Sequence, residues 1–167
     1  MNIFYLSSCP VDAASFHCDK HVVKMILEYA QLLSTAHHVL DGDDAPEGIY
    51  KCTHKNHPSA VWARQSSSHY AWLYDLFVEC LDEYKRRYVR EHATSRLKDT
   101  LLRLPKNIPL GGFTQPPQCM PDEYKCDNAV EAYRNYYKGE KAGFAAWTNT
   151  KTPPWWYTEA EDYARVY

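Results

Sequence analysis

Val11–Leu40 reads V-D-A-A-S-F-H-C-D-K-H-V-V-K-M-I-L-E-Y-A-Q-L-L-S-T-A-H-H-V-L and contains neither glycine nor proline. Ser8-Cys9-Pro10 precedes it and Asp41-Gly42 follows it. Proline suits the first turn of a helix and glycine suits the exit, so this stretch predicts a helix of at most about 30 residues. A turn near its start is expected to shorten it. Stepping about 100° per residue places Val22, Ile26, Ala30, Leu33 and Leu40 on one side, widened by Tyr29, Leu32 and Ala36. An apolar side that wide must pack on other helices, and the sequence supplies them.

His57-Pro58 opens a second helix, with Asn56 as its expected cap. Val61, Trp62, Trp72, Leu73, Leu76, Phe77, Cys80, Leu81 and Tyr84 recur at three- and four-residue spacing, which carries the pattern to about His92. A shorter helix is expected over Ser95–Leu104. Five prolines and Gly111-Gly112 make Pro105–Cys126 an irregular loop. Asp127-Asn128 caps a helix from Ala129 to about Lys138, which Lys141–Trp147 continues. Pro153-Pro154 then precedes Trp155-Trp156-Tyr157 and a final short helix. Asn2–Leu6 reads as a strand or an extended arm, and Asp43–Asn56 as loop. The expectation is an all-α fold: a compact bundle of two long and several short helices with a long proline-rich loop, forming one helical domain over residues 1–167.

Composition narrows the function classes. A chain of 167 residues, 45% hydrophobic and 24% charged, is an ordinary globular domain rather than a disordered tail. No apolar run approaches 18 residues, so no membrane partner is expected. Six cysteines in a chain of this size are read as reduced thiols of a cytoplasmic protein, with Cys80 as a core residue. The net charge of −2 removes the whole-chain signature of a basic nucleic-acid binder. It nevertheless averages over a strip. Lys85, Arg86, Arg87, Arg90, Arg96, Lys98, Arg103 and Lys106 face only Glu91 and Asp99 within residues 85–106, which is eight minus two, or +6. Such a strip suits phosphate contact.

The other side of the first helix carries the chemistry. His17, His21, Lys24, Glu28, Gln31, Thr35 and His38 fall within an arc of roughly 80°. Solvated helix faces favour Glu/Lys pairs, whereas a carboxylate beside imidazoles and an ammonium is the raw material of acid–base chemistry. Lys51-Cys52-Thr53-His54-Lys55-Asn56-His57 forms a second polar cluster. His17, Lys24, Gln31, His54 and His57 are expected to line one pocket with Glu28 and His21. His17-x3-His21 with His54 and His57 also offers a zinc site, with Cys18 and Cys52 as substitute ligands, although HExxH and paired CxxC motifs are absent. No other cofactor is expected. Near the C-terminus, Arg134, Tyr136, Tyr137, Lys138, Lys141, Trp155 and Trp156 interleave aromatics with cations. That pattern suits stacking on bases beside phosphates, and equally suits packing over a helical core.

Asp19-x-His21 with Glu28 seven residues on, His38-Val39-Leu40-Asp41-Gly42, Tyr50, Lys55-Asn56-His57-Pro58 and Tyr133–Ala142 (Y-R-N-Y-Y-K-G-E-K-A) belong together. Over residues 15–60 and 130–142 the chain resembles the phage pyrimidine-dimer DNA glycosylase/AP lyase family of the endonuclease V type. The resemblance implies a compact helical fold, a DNA or nucleotide substrate, an N-terminal α-amine nucleophile and a catalytic glutamate on the first long helix. By it, Glu28 is the catalytic carboxylate, His21 supports it, and Tyr136, Tyr137, Lys138 and Lys141 touch substrate. Asn2 stands where the family exposes a small residue after removal of Met1, but asparagine at that position usually leaves Met1 in place. Leu27 and Gln31 stand where the family carries arginines. Lys24, one turn from Glu28, offers another amine. Two other readings of the residues stay open: a non-catalytic module that binds nucleic acid or protein, and a histidine-ligated metal-dependent hydrolase.

Overall fold

A computed structural model of the chain describes residues 1–157. The final short helix expected beyond Tyr157 lies outside the described residues. Among the described residues six α-helices form: α1 (Pro10–Phe16), α2 (Asp19–Asp41), α3 (Pro58–Gln65), α4 (Ser67–Tyr88), α5 (Lys98–Leu101) and α6 (Ala129–Tyr136). Among the described residues there is no strand, and the fold is all-α. One hydrophobic core collects Val22, Ile26, Leu33, Leu73, Phe77, Leu101 and Tyr133, and α2, α3 and α4 supply most of it.

Each predicted long helix is two helices. The first breaks at His17-Cys18, where both residues are extended (ψ 130 and 162). No glycine or proline causes this. The carbonyls that would continue α1 are taken by distant donors: Arg87 Nη2 donates to Ser15 O at 3.1 Å and Trp147 Nε1 to Phe16 O at 3.0 Å. His17 Nδ1 meets Ala13 O at 2.6 Å. Helix-end carbonyls need partners, and here tertiary contacts provide them in place of further helix. The second break is at Ser66, whose hydroxyl accepts from Ser68 N at 3.1 Å as a cap and donates to Gly112 O at 2.8 Å.

The other boundaries move less. Helix α4 ends at Tyr88, not near His92, because Val89 adopts φ 57, the left-handed region, while its N–H donates to Lys85 O. The helix expected over Ser95–Leu104 is a 3₁₀ segment, Ala93–Leu97, running into the single turn of α5. After α6 the backbone widens into a π turn, Tyr137–Lys141, and 142–157 is irregular apart from a 3₁₀ turn at Pro154–Trp156. Tyr124 packs so closely on Gly139 that a Cβ there would enter its ring.

The N-terminal residues are an extended arm, not a strand. Ile3, Phe4, Tyr5 and Leu6 are all buried in the core, which carries Met1 and Asn2 to the flank of α2. The proline-rich loop is well tied down. Trp62 Nε1 donates to Thr114 O, and Thr114 N donates to His69 Nε2.

A buried ion network joins α4 to the start of α2 and to Thr148. Arg87 is buried, with Nε on Glu83 at 2.9 Å and Nη1 on Asp19 at 3.1 Å. Asp19 in turn accepts from Thr148 N and Thr148 Oγ1. The basic strip is therefore not one surface. Arg87 points inward, Arg86 pairs with Glu83, and Lys85 pairs with Glu91 at 2.7 Å.

Candidate active site

The extended arm brings the chain's α-amine against α2. A cavity of about 170 Å³ opens there, lined by Met1, Asn2, Phe4, His21, Lys24, Met25, Glu28 and Lys141. The Met1 amine lies 3.8 Å from Glu28 Oε1, and the Glu28 side chain keeps 18% of its surface exposed. His21, Lys24 and Glu28 sit on successive turns of α2 at i, i+3 and i+7, so helical spacing alone stacks them along one wall. Lys141 closes the cavity from the π turn, and its ammonium lies 4.6 Å from the centre of the Tyr136 ring. Three cationic groups thus surround one carboxylate, giving a cavity of positive sign that suits an anionic ligand.

His21 is held on two sides. Phe4 stacks on it with centroids 4.2 Å apart, and its Nδ1 lies 2.5 Å from the Tyr137 hydroxyl. Burial, reinforced by the charges of His17, Lys141 and Lys24, holds its pKa down to about 3. The imidazole is neutral at neutral pH.

The structure separates the residues that the sequence grouped. His21, Lys24, Glu28, Asn2 and Lys141 come together. His17 does not join them. It is fully buried at the end of α1, with Nδ1 on Ala13 O and Nε2 on the Tyr29 hydroxyl, both at 2.6 Å, and burial holds its pKa near 4. The expectation that His17 lines the pocket is corrected, because the helix break turns it into the core. Gln31, half-buried one turn past Glu28, does not line the cavity. His54 is exposed and contacts Thr53 Oγ1 at 2.7 Å. His57 caps α3 by accepting from Ser59 N at 3.1 Å. It still feels the α-amine, since burial and then that positive charge lower its pKa. The expected cap Asn56 gives way to His57 itself.

The four histidines of the zinc reading do not converge. Among the described residues no three His, Cys, Asp or Glu side chains form a group able to hold a metal ion. Both ring nitrogens of His17 are already engaged. All six cysteines are free, and Cys80 is buried in the core.

Among the C-terminal residues, Tyr137 is fully buried and meets the site from behind, its hydroxyl on His21 and not among the groups that line the cavity. Arg134 turns inward. Its Nε donates to Leu6 O at 2.9 Å, and its guanidinium lies over Trp155. Trp155 packs on Phe16 and Tyr137, and Trp156 on Trp147. Tyr136 is half-buried beside Lys141, whereas Lys138 is exposed. Three contributors, Met1, Phe4 and Met25, escaped the sequence reading. No pattern marks Phe4 or Met1 as cavity residues, because only the path of the arm through the core places them.

A family model described as pyrimidine dimer DNA glycosylase matches residues 1–96, more than half of the chain. The chain belongs to that family. No curated protein and no solved structure matches it. The matched region carries the arm and α1–α4, and with them every cavity residue except Lys141. No helix among the described residues is long and apolar enough to cross a membrane.

Proposed function

We propose that the protein removes a damaged pyrimidine from DNA and cleaves the strand at the resulting abasic site, using an amine of this cavity as nucleophile. The observation that carries the proposal is the α-amine of Met1 held 3.8 Å from Glu28 in a cavity shared with His21 and two lysines. Membership of the glycosylase family supports DNA as the substrate. The reacting amine is that of Met1 rather than one exposed at Asn2.

An amine attacks only when neutral, and Glu28 is the group placed to take its proton. Attack on C1′ of the deoxyribose forms a C1′–N bond as the glycosidic bond breaks, and the electron pair of that bond leaves with the base. The departing base takes the proton held by Glu28, and Glu28 then moves a proton from the nitrogen to O4′ as the ring opens, which gives a Schiff base at C1′ and leaves Glu28 a carboxylate. The Schiff base acidifies the C2′ hydrogen, and its removal by Glu28 expels the 3′ phosphate. The target nucleotide must leave the duplex stack to reach the amine, because the amine is recessed beside α2. Lys24 and Lys141 supply positive charge for the flanking phosphates.

Borohydride reduction during reaction with abasic-site duplex tests the proposal. A covalent protein–DNA adduct, lost in Glu28→Gln, is the expected result. Tight DNA binding without any adduct would mean a binding module instead.

A further inference from the structure

The histidine in the cavity is polarised by its neighbours in a way that fixes which nitrogen carries hydrogen. The backbone N–H of Cys18 lies 3.4 Å from the Tyr137 hydroxyl oxygen. An amide N–H can only donate, so the Tyr137 oxygen accepts there; the hydroxyl is buried and its own hydrogen needs an acceptor, and of its neighbours, His21 Nδ1 at 2.5 Å and the Cys18 thiol, the imidazole nitrogen is the stronger acceptor. His21 Nδ1 is therefore an acceptor. A neutral imidazole with Nδ1 as acceptor carries its hydrogen on Nε2. That Nε2 has no hydrogen-bond partner and is not sealed among the described residues, and the ring lines the cavity.

At His17, four residues earlier and across the helix break, the partners give the opposite answer. The Phe4 amide donates to the Tyr29 hydroxyl at 3.2 Å, and since the Ala13 carbonyl can only accept, His17 Nε2 is left to accept from Tyr29. Ala13 O then takes the hydrogen on His17 Nδ1. His17 is the Nδ1–H form with nothing left to offer.

We propose that Tyr137 is a positioning residue that locks His21 as a neutral Nε2–H donor into the cavity, where it hydrogen-bonds an acceptor oxygen of the substrate beside Glu28. This role rests on the base-excision reading for its substrate. The lock itself is a property of the free protein. Tyr137 lies beyond the matched family region, at the start of the π turn that also delivers Lys141. The wider turn lets one segment place both a buried hydroxyl behind His21 and an ammonium in front of it. A neutral donor holds its hydrogen bond without adding a fourth positive charge, which would repel the oxocarbenium character developing at C1′.

Long-range ¹⁵N–¹H spectra of the uniformly labelled protein at neutral pH decide the first part. The expected pattern is opposite tautomers, Nε2–H for His21 and Nδ1–H for His17. An Nδ1–H form or an imidazolium at His21 would overturn the lock. In Tyr137→Phe, which keeps the ring and loses the hydroxyl, His21 is expected to become a tautomer mixture and to protonate at a higher pH than in the parent, with His17 unchanged. Single-turnover cleavage of abasic-site DNA should fall about tenfold, mainly in the rate at saturation and not in affinity. A His21 that remains purely Nε2–H in the variant, or a variant with the parent's rate and pH profile, would refute the positioning role. Loss of borohydride trapping in the parent protein, with the tautomers as stated, would instead sink the base-excision reading and leave the lock standing.

Discussion

His17–Tyr29 and His21–Tyr137 are built alike and do different work. In each pair a tyrosine hydroxyl receives a backbone N–H and faces an imidazole, and in each the imidazole is neutral. His17 closes its pair with a second bond to Ala13 O and is sealed from solvent. His21 leaves its second nitrogen to the cavity that holds Glu28 and the α-amine. The difference arises from two residues of backbone. His17 ends α1 and lies before α2 begins, so helical rotation does not relate it to His21. A histidine is a candidate for chemistry here only where its hydrogen-bonding capacity is unspent.

The largest expected effect lies on the open side. Glu28→Gln should slow single-turnover incision of damaged duplex by about a thousandfold while the unfolding midpoint stays near the parent's. A variant retaining more than a tenth of the parent rate would remove Glu28 from the centre of the site.

Acid should expose the sealed side. Burial holds His17 near 4 and His21 near 3, below the ordinary value of 6.5. Both are neutral when folded, whereas the unfolded chain takes up protons once the pH drops below about 6.5. Stability is therefore complete above that pH and is lost as the pH falls through 4. His17 alone accounts for a loss on the order of 3 kcal/mol. Urea midpoints from pH 7 to pH 4 measure it, and a flat profile would contradict the sealed neutral state.

The pair can then be split by mutation. His17→Ala should cost about 2 to 3 kcal/mol, by orphaning the Tyr29 hydroxyl and leaving a void, with the rate per folded molecule within about threefold of the parent. His21→Ala should reverse the balance, with a loss of about 1 kcal/mol and cleavage slowed by roughly 10- to 100-fold. Equal patterns in the two variants would erase the distinction. The smallest effect is expected at the cavity rim. Lys141→Met should weaken DNA binding modestly and lower the salt-dependence slope by about one, if one phosphate contact is lost. An unchanged slope would place Lys141 outside the contact.

The helices were legible because their patterns are local. The apolar sides of α2 and α4 can be read from spacing, and the His21, Lys24 and Glu28 wall follows from positions within one unbroken helix. What could not be read depends on distant partners. The break at His17-Cys18 is imposed by Arg87 and Trp147, the latter 131 residues from the carbonyl it caps. The Arg87 side chain counts as basic strip in the sequence, but Glu83 and Asp19 draw it into the core. Ser66-Ser67-Ser68 did carry a local signal for the second break, since serine caps helices, yet the apolar spacing on either side masked it. The C-terminal aromatics fit two readings from sequence. Burial decides for packing at Tyr137, while Lys141 stays at the cavity with Tyr136 beside it.

The central claim is that the reactive amine belongs to Met1 and works against Glu28. Peptide mapping by mass spectrometry of the borohydride-trapped adduct on abasic-site DNA tests it most directly. The account predicts the deoxyribose remnant on the α-amine of the peptide that begins with Met1. A remnant on the side chain of Lys24 or Lys141, with the Met1 amine unmodified, would contradict it.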